Sequence, residues 1–498
     1  MTTAPTPHDP GPSVWLEAAA ARWPDHPFLD DGSTSISYAL AAERCAELAG
    51  WLHHLGLCRG DRLLIAAPNR LELPLIIFAA LRLGAVFSLL PSQLQPAGLI
   101  KILDPCEPTL LLLDASTRSL AQAAEGRCRV VQIEAAAPGT PPAPVACHAD
   151  DPAFLVFTSG STGTPRGVIL THGNVAFVTP AIQARLGYQP EDRIGVFLPL
   201  AFDYALYQIF LACLSGAAIH LGRPEMTGPG LPQLLDHQKI SVLPGVPSLF
   251  SGLIRLLEHR TRPLPRLRVL TNTGEHLPPT RIDRLGELLP QARLFPMYGL
   301  TECKRVSILL PEEYAAHRDS VGRALDGTRV FTVDEAGQPL PPGQSGELAV
   351  QGPHLSPGYW NAPAETAARF RLVQGVRTLF TGDRGTVDAA GFLRFEARAD
   401  FLIKHRGTRL NPAEIEEAAA ALPGVTGAGC AMDEAGDLLH LFLTTHEPAP
   451  QPAAVLARLA EVLERAKLPD RVHVLPELPR TANHKLDRKS LRALASAR

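Results

Sequence analysis

Two rhythms of apolar and polar positions take turns along this chain. "SYALAAERCAELAGWLHHLG" (Ser37 to Gly56) spaces its apolar residues as a helix does, and "DRLLIAAP" soon after reads as a strand. In "PLAFDYALYQIF" (Pro199 to Phe210), Phe202, Leu206 and Phe210 recur at helical spacing and predict a core-facing helix. The run "LPLIIFAALRLGAVFSLLP" is apolar enough to raise the question of a membrane span. Arg82 lies within it and Gly84 follows, so a buried helix running into a strand is expected instead. Helix and strand alternating in this way predicts an α/β fold. Ala135 to Pro152 is a Pro/Ala-rich surface connection. The last hundred residues read as a separate small α+β domain, opened by the charge and turn residues of "RADFLIKHRGTRLNPAEIEEAAAALPGV".

Composition narrows the class. A chain of 498 residues is too long for one ordinary core, so two or more domains are expected. With 46% hydrophobic and 19% charged residues it reads as a soluble globular protein. The net charge of -3 comes from 47 basic and 50 acidic residues without a basic block, which argues against nucleic acid as the main partner. The N-terminus has no basic segment leading into an apolar one, so no export signal is expected. The eight cysteines lack C-x-x-C pairs and His clusters, which predicts reduced thiols, no zinc site and a cytoplasmic setting, with no membrane partner.

The chemistry begins at "TSGSTGTPRGV", Thr158 to Val168, directly after the apolar "AFLVF". Glycines let successive N–H groups converge on an anion, and the Ser and Thr hydroxyls add donors, so the segment can hold phosphate, a flexible Gly/Ser linker being the alternative. It lacks the G-K-[ST] of the P-loop and carries Pro165. "VILTHGNVAF" then reads as a second short strand before Thr171 caps a helix, so the loop is expected to join two strands.

Four further stretches follow in order: "YGLTE" (Tyr298 to Glu302), "TGD" (Thr381 to Asp383), "EARADFLIKHRGTRLNPAEIE" (Glu396 to Glu416) and "LPRTANHKLDRKSL" (Leu478 to Leu491). With the loop, their order and spacing resemble the adenylate-forming superfamily of acyl-CoA synthetases, amino-acid-activating adenylation domains and firefly-type luciferases. The resemblance covers nearly the whole chain. It implies a large multi-subdomain N-terminal α/β domain (1–399) and a small mobile C-terminal α+β lid (400–498). It also implies two steps: a carboxylate attacks the α-phosphate of ATP to give an acyl adenylate and pyrophosphate, then a thiol takes the acyl group and AMP leaves. Two anions must meet in the first step, which calls for cations and aimed N–H groups.

Residue by residue, the resemblance implies that Thr158, Ser159, Gly160, Ser161, Thr162 and Gly163 form the phosphate loop. Arg166 stands where the family usually has Lys. Lys485 holds the catalytic lysine position and would bridge the substrate carboxylate and the α-phosphate; His484 precedes it where Gly is common. Glu302 would hold Mg²⁺, Thr301 would contact the α-phosphate, and Tyr298 would lie against adenine. Gly274 and Glu275 would line the adenine pocket, while Asp383 and Arg398 would serve the ribose. Asp400 matches the hinge, and Lys404 and Gly407 would border the thiol tunnel.

The substrate pocket carried over in the same way comprises Asp203, Tyr204, Tyr207, Val246, Thr271, Thr273, Met297 and Arg305. Asp203 falls where amino-acid-activating members bind the substrate ammonium. If Arg305 pairs with Asp203 that signal disappears; if Arg305 stands apart it can receive a second carboxylate or a polar tail. A small carboxylic acid, with an amino acid favoured, is the expected substrate. The chain ends soon after "LDRKSL", which favours a stand-alone carrier protein with a phosphopantetheine thiol as acceptor over free coenzyme A.

Overall fold

The computed structural model describes residues 11–159, 165–260, 263–398, 403–405, 408–410, 412–434, 436, 438–445, 450–463, 465–481 and 486–497. The side chains of Ser159, Ala397, Arg398, Ile403, Lys404, Thr408, Arg409 and Ala466 also lie outside this description. The fold is mixed α/β, as the alternation predicts, and separates into two compact units. The larger comprises 1–330 with 349–380, and the smaller 331–348 with 381–498. The units divide inside strands, within Arg329–Val333, Gly346–Gln351 and Val376–Val387.

Two sheets organise the larger unit. One has six strands, in the order Arg129–Gln132, Leu110–Leu113, Arg62–Ala66, Val86–Leu90, Pro152–Ser159 and Pro165–Thr171. Its central strands pair in parallel and are apolar on both faces, Leu110–Leu113 being four consecutive buried leucines. The suspect apolar run is a helix, Glu72–Arg82, followed by the strand Val86–Leu90. Every residue from Leu73 to Leu81 in it is buried, and Arg82 donates to Glu17 at 2.7 Å. No helix among the described residues is long and apolar enough to cross a membrane.

The second sheet has nine strands. At its heart Arg193–Val196, Val242–Gly245, Val269–Asn272 and Arg293–Tyr298 run parallel, with Gly245 opposite Asn272 and Asn272 opposite Pro296. Their carboxyl ends thus line up along one edge, the edge where α/β sheets place ligands.

In the smaller unit, Val425–Met432, Leu439–Thr445 and Arg471–Val474 form a three-stranded sheet. Leu410, Ile415, Leu441, Val455 and Leu459 fill one of its cores.

Candidate active site

The phosphate loop spans a hairpin. Pro152–Ser159 and Pro165–Thr171 pair antiparallel, with Thr158 opposite Arg166 and Ser159 opposite Pro165. The loop joins two strands, as its sequence context predicts. Thr171 then caps the helix His172–Leu186, its hydroxyl accepting from the Asn174 N–H while the Asn174 side chain accepts from the Thr171 N–H. Gly160, Ser161, Thr162 and Gly163 lie outside the described residues.

A segment the sequence reading overlooked closes on this hairpin. The Trp360 N–H donates to the Gly167 carbonyl at 2.7 Å, and the Ile169 N–H to the Gly358 carbonyl at 3.0 Å. This places Tyr359 with its ring 5.8 Å from the Arg166 guanidinium carbon and its hydroxyl donating to Glu302 Oε1 at 2.7 Å. Burial and the neighbouring Glu302 charge push the Tyr359 phenol up, so it stays a donor. One side chain thereby touches both the cation of this hairpin and the carboxylate expected to hold Mg²⁺. A buried carboxylate with one oxygen held suits a hard cation that completes its shell with phosphate oxygens and water. Glu302 would be its protein ligand, and the cation would neutralise charge on the nucleotide. No cluster of three or more His, Cys, Asp and Glu suited to a metal occurs among the described residues.

Glu302 sits in a tight turn, Tyr298 to Arg305. The Val306 N–H returns to the Tyr298 carbonyl at 2.9 Å, and a Cβ on Gly299 would lie 1.8 Å from the Lys304 carbonyl oxygen. Only glycine fits there. Tyr298 is buried at the end of its strand and Thr301 is half-buried. On the adjoining strand end Gly274 has φ 91, and the Asn272 side chain donates to the Glu275 carbonyl at 3.1 Å. The segment expected to line the adenine and the turn therefore lie on neighbouring strand ends.

The residues expected to line the acid pocket gather along the same edge. Val246, Thr271, Thr273 and Met297 are buried at the ends of three adjacent strands. The helix Asp203–Ser215 brings Tyr204, whose hydroxyl meets Thr271 Oγ1 at 2.5 Å and the Thr271 carbonyl at 2.7 Å, and Tyr207, whose buried hydroxyl has no hydrogen-bond partner among the described residues.

Two findings settle the alternative left open for Asp203. Arg305 does not hydrogen-bond to it: Nη1 donates to Thr273 Oγ1 at 2.5 Å, and the guanidinium carbon lies 5.3 Å from the Tyr204 ring centre. Asp203 is instead taken by Lys304, a residue missing from the sequence-derived pocket, whose Nζ lies 2.5 Å from Asp203 Oδ2. The pair is buried, with side-chain exposures of 5% for the lysine and 13% for the aspartate. The ammonium also lies 5.5 Å from the Tyr207 ring centre and 5.6 Å from that of Phe154. Burial pulls the Lys304 ammonium below its ordinary range, and Asp203 opposes that shift. The carboxylate expected to read a substrate ammonium thus already holds one.

In the smaller unit Asp383 and Arg398, the ribose candidates, stand opposite each other on paired antiparallel strands. Asp383 is buried, and its N–H donates to Thr381 Oγ1 at 3.0 Å. Asp400, Gly407 and Lys485 lie outside the described residues, as do the side chains of Ser159, Arg398 and Lys404.

Comparison with known proteins decides the family. The model of the AMP-binding enzymes matches residues 16–360, and that of the AMP-binding enzyme C-terminal domain matches 414–485. The chain belongs to the AMP-binding enzyme family. Members of this adenylate-forming family are ATP-dependent, AMP-forming ligases. AMB antimetabolite synthetase AmbB of Pseudomonas aeruginosa is 32% identical over 491 residues, 96% of this chain and 38% of that protein. Syringomycin synthase SyrB1 of Pseudomonas syringae is 29% identical over 496 residues, 95% of this chain and 80% of that protein. The chain therefore spans well under half of the first relative. Among solved structures, the o-succinylbenzoate CoA synthetase of Bacillus subtilis, in complex with its acyl-adenylate intermediate, matches with a TM-score of 0.84 at 26% identity. That match covers 96% of this chain and 97% of the other. VinN matches with a TM-score of 0.70 at 32% identity, over 77% of this chain and 98% of that one.

Proposed function

We propose that this AMP-binding enzyme activates a small carboxylic acid as its acyl adenylate and passes it to the phosphopantetheine thiol of a separate carrier protein. The observation that supports the reading is the Arg166–Tyr359–Glu302 arrangement, in which one tyrosine lies against the cation expected to meet phosphate and bonds the carboxylate expected to hold the metal. In the first step an oxygen of the substrate carboxylate bonds to the α-phosphorus, the bond to the β-phosphate oxygen breaks, and pyrophosphate leaves. Arg166 meets phosphate charge, Thr301 donates to the α-phosphate, and Lys485 bridges the two anions. Tyr298, Gly274 and Glu275 receive the adenine; Asp383 and Arg398 receive the ribose. In the second step the thiol sulfur bonds to the acyl carbon, the carbon–oxygen bond to AMP breaks, and the thiol proton passes to solvent. A lid of residues 400–498 turning about Asp400 would exchange Lys485 for Lys404 and Gly407 between the steps.

Coenzyme A is the second reading for the acceptor, favoured by the likeness to a CoA synthetase over nearly the whole chain. Incubation with ATP, acid and either a phosphopantetheinylated carrier or coenzyme A separates the two. Acyl transfer to the carrier, read as a mass increase, is expected. Thioester formed on coenzyme A alone would reverse the choice of acceptor, and no AMP with either would count against activation.

A further inference from the structure

One buried cation at this strand edge has no hydrogen-bonded anion among the described residues. Lys304 and Asp203 neutralise each other at 2.5 Å. Arg305, 7% exposed, spends Nη1 on the uncharged Thr273 hydroxyl, and its buried Nε has no hydrogen-bond partner among the described residues. Its neighbours Tyr204 and Thr273 carry no charge, and Asp203, whose charge reaches it through space, is bonded to Lys304. A guanidinium taken from water without an anion is costly, and its planar fork fits a carboxylate through two parallel N–H bonds. The reacting carboxylate of the substrate cannot supply that anion, because it becomes a neutral acyl group on adenylation.

We propose that the acid activated here is a small dicarboxylic acid whose second carboxylate is received by Arg305, with the Lys304–Asp203 pair as a charge-balanced wall beside it. This rests on the activation reading above and names its substrate class. Because Lys304 holds Asp203 by direct contact, Asp203 acts on Arg305 only through space.

ATP–pyrophosphate exchange tests it on the unmodified protein. Malonate, succinate, glutarate and aspartate are each compared with the partner whose far carboxylate is blocked: the three monomethyl esters and asparagine. Butyrate and alanine serve as acids without a second charge. The best dicarboxylate is expected to exceed its blocked partner at least tenfold in kcat/KM. In Arg305→Met that ratio is expected to collapse toward one, and in Arg305→Lys to recover in part, a change of selectivity that a merely structural role would not produce. Exchange with butyrate, alanine or a blocked acid equal to that with every dicarboxylate would overturn the proposal and leave activation standing. Exchange with none of these acids would overturn activation and the proposal together. The comparison on the unmodified chain decides even if an Arg305 variant fails to fold.

Discussion

Lys304 is held with φ 59 while its ammonium reaches Asp203. A non-glycine residue pays for that backbone region, and the ion pair together with the Gly299 turn over-determines it. Lys304→Met is therefore expected to destabilise the protein by about 3–5 kcal/mol, since it removes the cation paired with a largely buried carboxylate. Adding Asp203→Leu should recover most of that loss in a double-mutant cycle followed by denaturant unfolding; a double-variant loss equal to the sum of the two single losses would show that the two side chains are not coupled. Tyr359→Phe keeps the ring under Arg166 but removes the donor to Glu302. Loss of such an orienting hydrogen bond should weaken apparent Mg²⁺ affinity roughly tenfold, read from the Mg²⁺ dependence of pyrophosphate exchange. An unchanged Mg²⁺ dependence would separate Tyr359 from the metal. Both residues escaped the sequence reading for the same reason. Lys304 follows the motif that ends at Glu302, and Tyr359 lies 57 positions further along the chain from Glu302. Their roles come from a turn and a cross-chain pairing, which no local spacing reports.

At the scale of elements, local chemistry was easier to read. The hairpin around the phosphate loop, the Thr171 cap and the buried helix before Val86 all follow from glycines, a capping hydroxyl and an apolar run broken by Arg82 and Gly84. Thr171→Ala removes one side of the capping box and should cost about 1 kcal/mol in unfolding free energy. A second element carries a pH signature. His354 is fully buried against Phe177, ring centres 5.6 Å apart, and neither ring nitrogen has a hydrogen-bond partner among the described residues. Burial pushes its pKa down from 6.5 to about 4, and burial does the same to His172. Between those values the unfolded chain binds protons that the folded imidazoles refuse. Stability is thus fully present above about pH 6.5 and falls as the pH drops toward about 4. Thermal midpoints measured across this window should decline toward acid, less steeply in His354→Leu. An identical slope in that variant would show that His354 is not the group responsible.

For the molecule as a whole, five motifs in register were enough to place the chain in its family, because each supplies a charge or donor that joining two anions requires. The pocket's selectivity was not legible to the same depth. It depends on which of two adjacent cations reaches Asp203, and sequence order alone does not distinguish Lys304 from Arg305. The central claim, that the acid's own oxygen attacks the α-phosphorus, has one direct test. The protein is incubated with ATP, Mg²⁺, hydroxylamine as acyl acceptor and a dicarboxylic acid labelled with ¹⁸O in its carboxyl groups, and the AMP formed is examined by mass spectrometry. One labelled oxygen per AMP is predicted, with no AMP formed by Lys485→Ala; unlabelled AMP, or ADP in its place, would contradict the account.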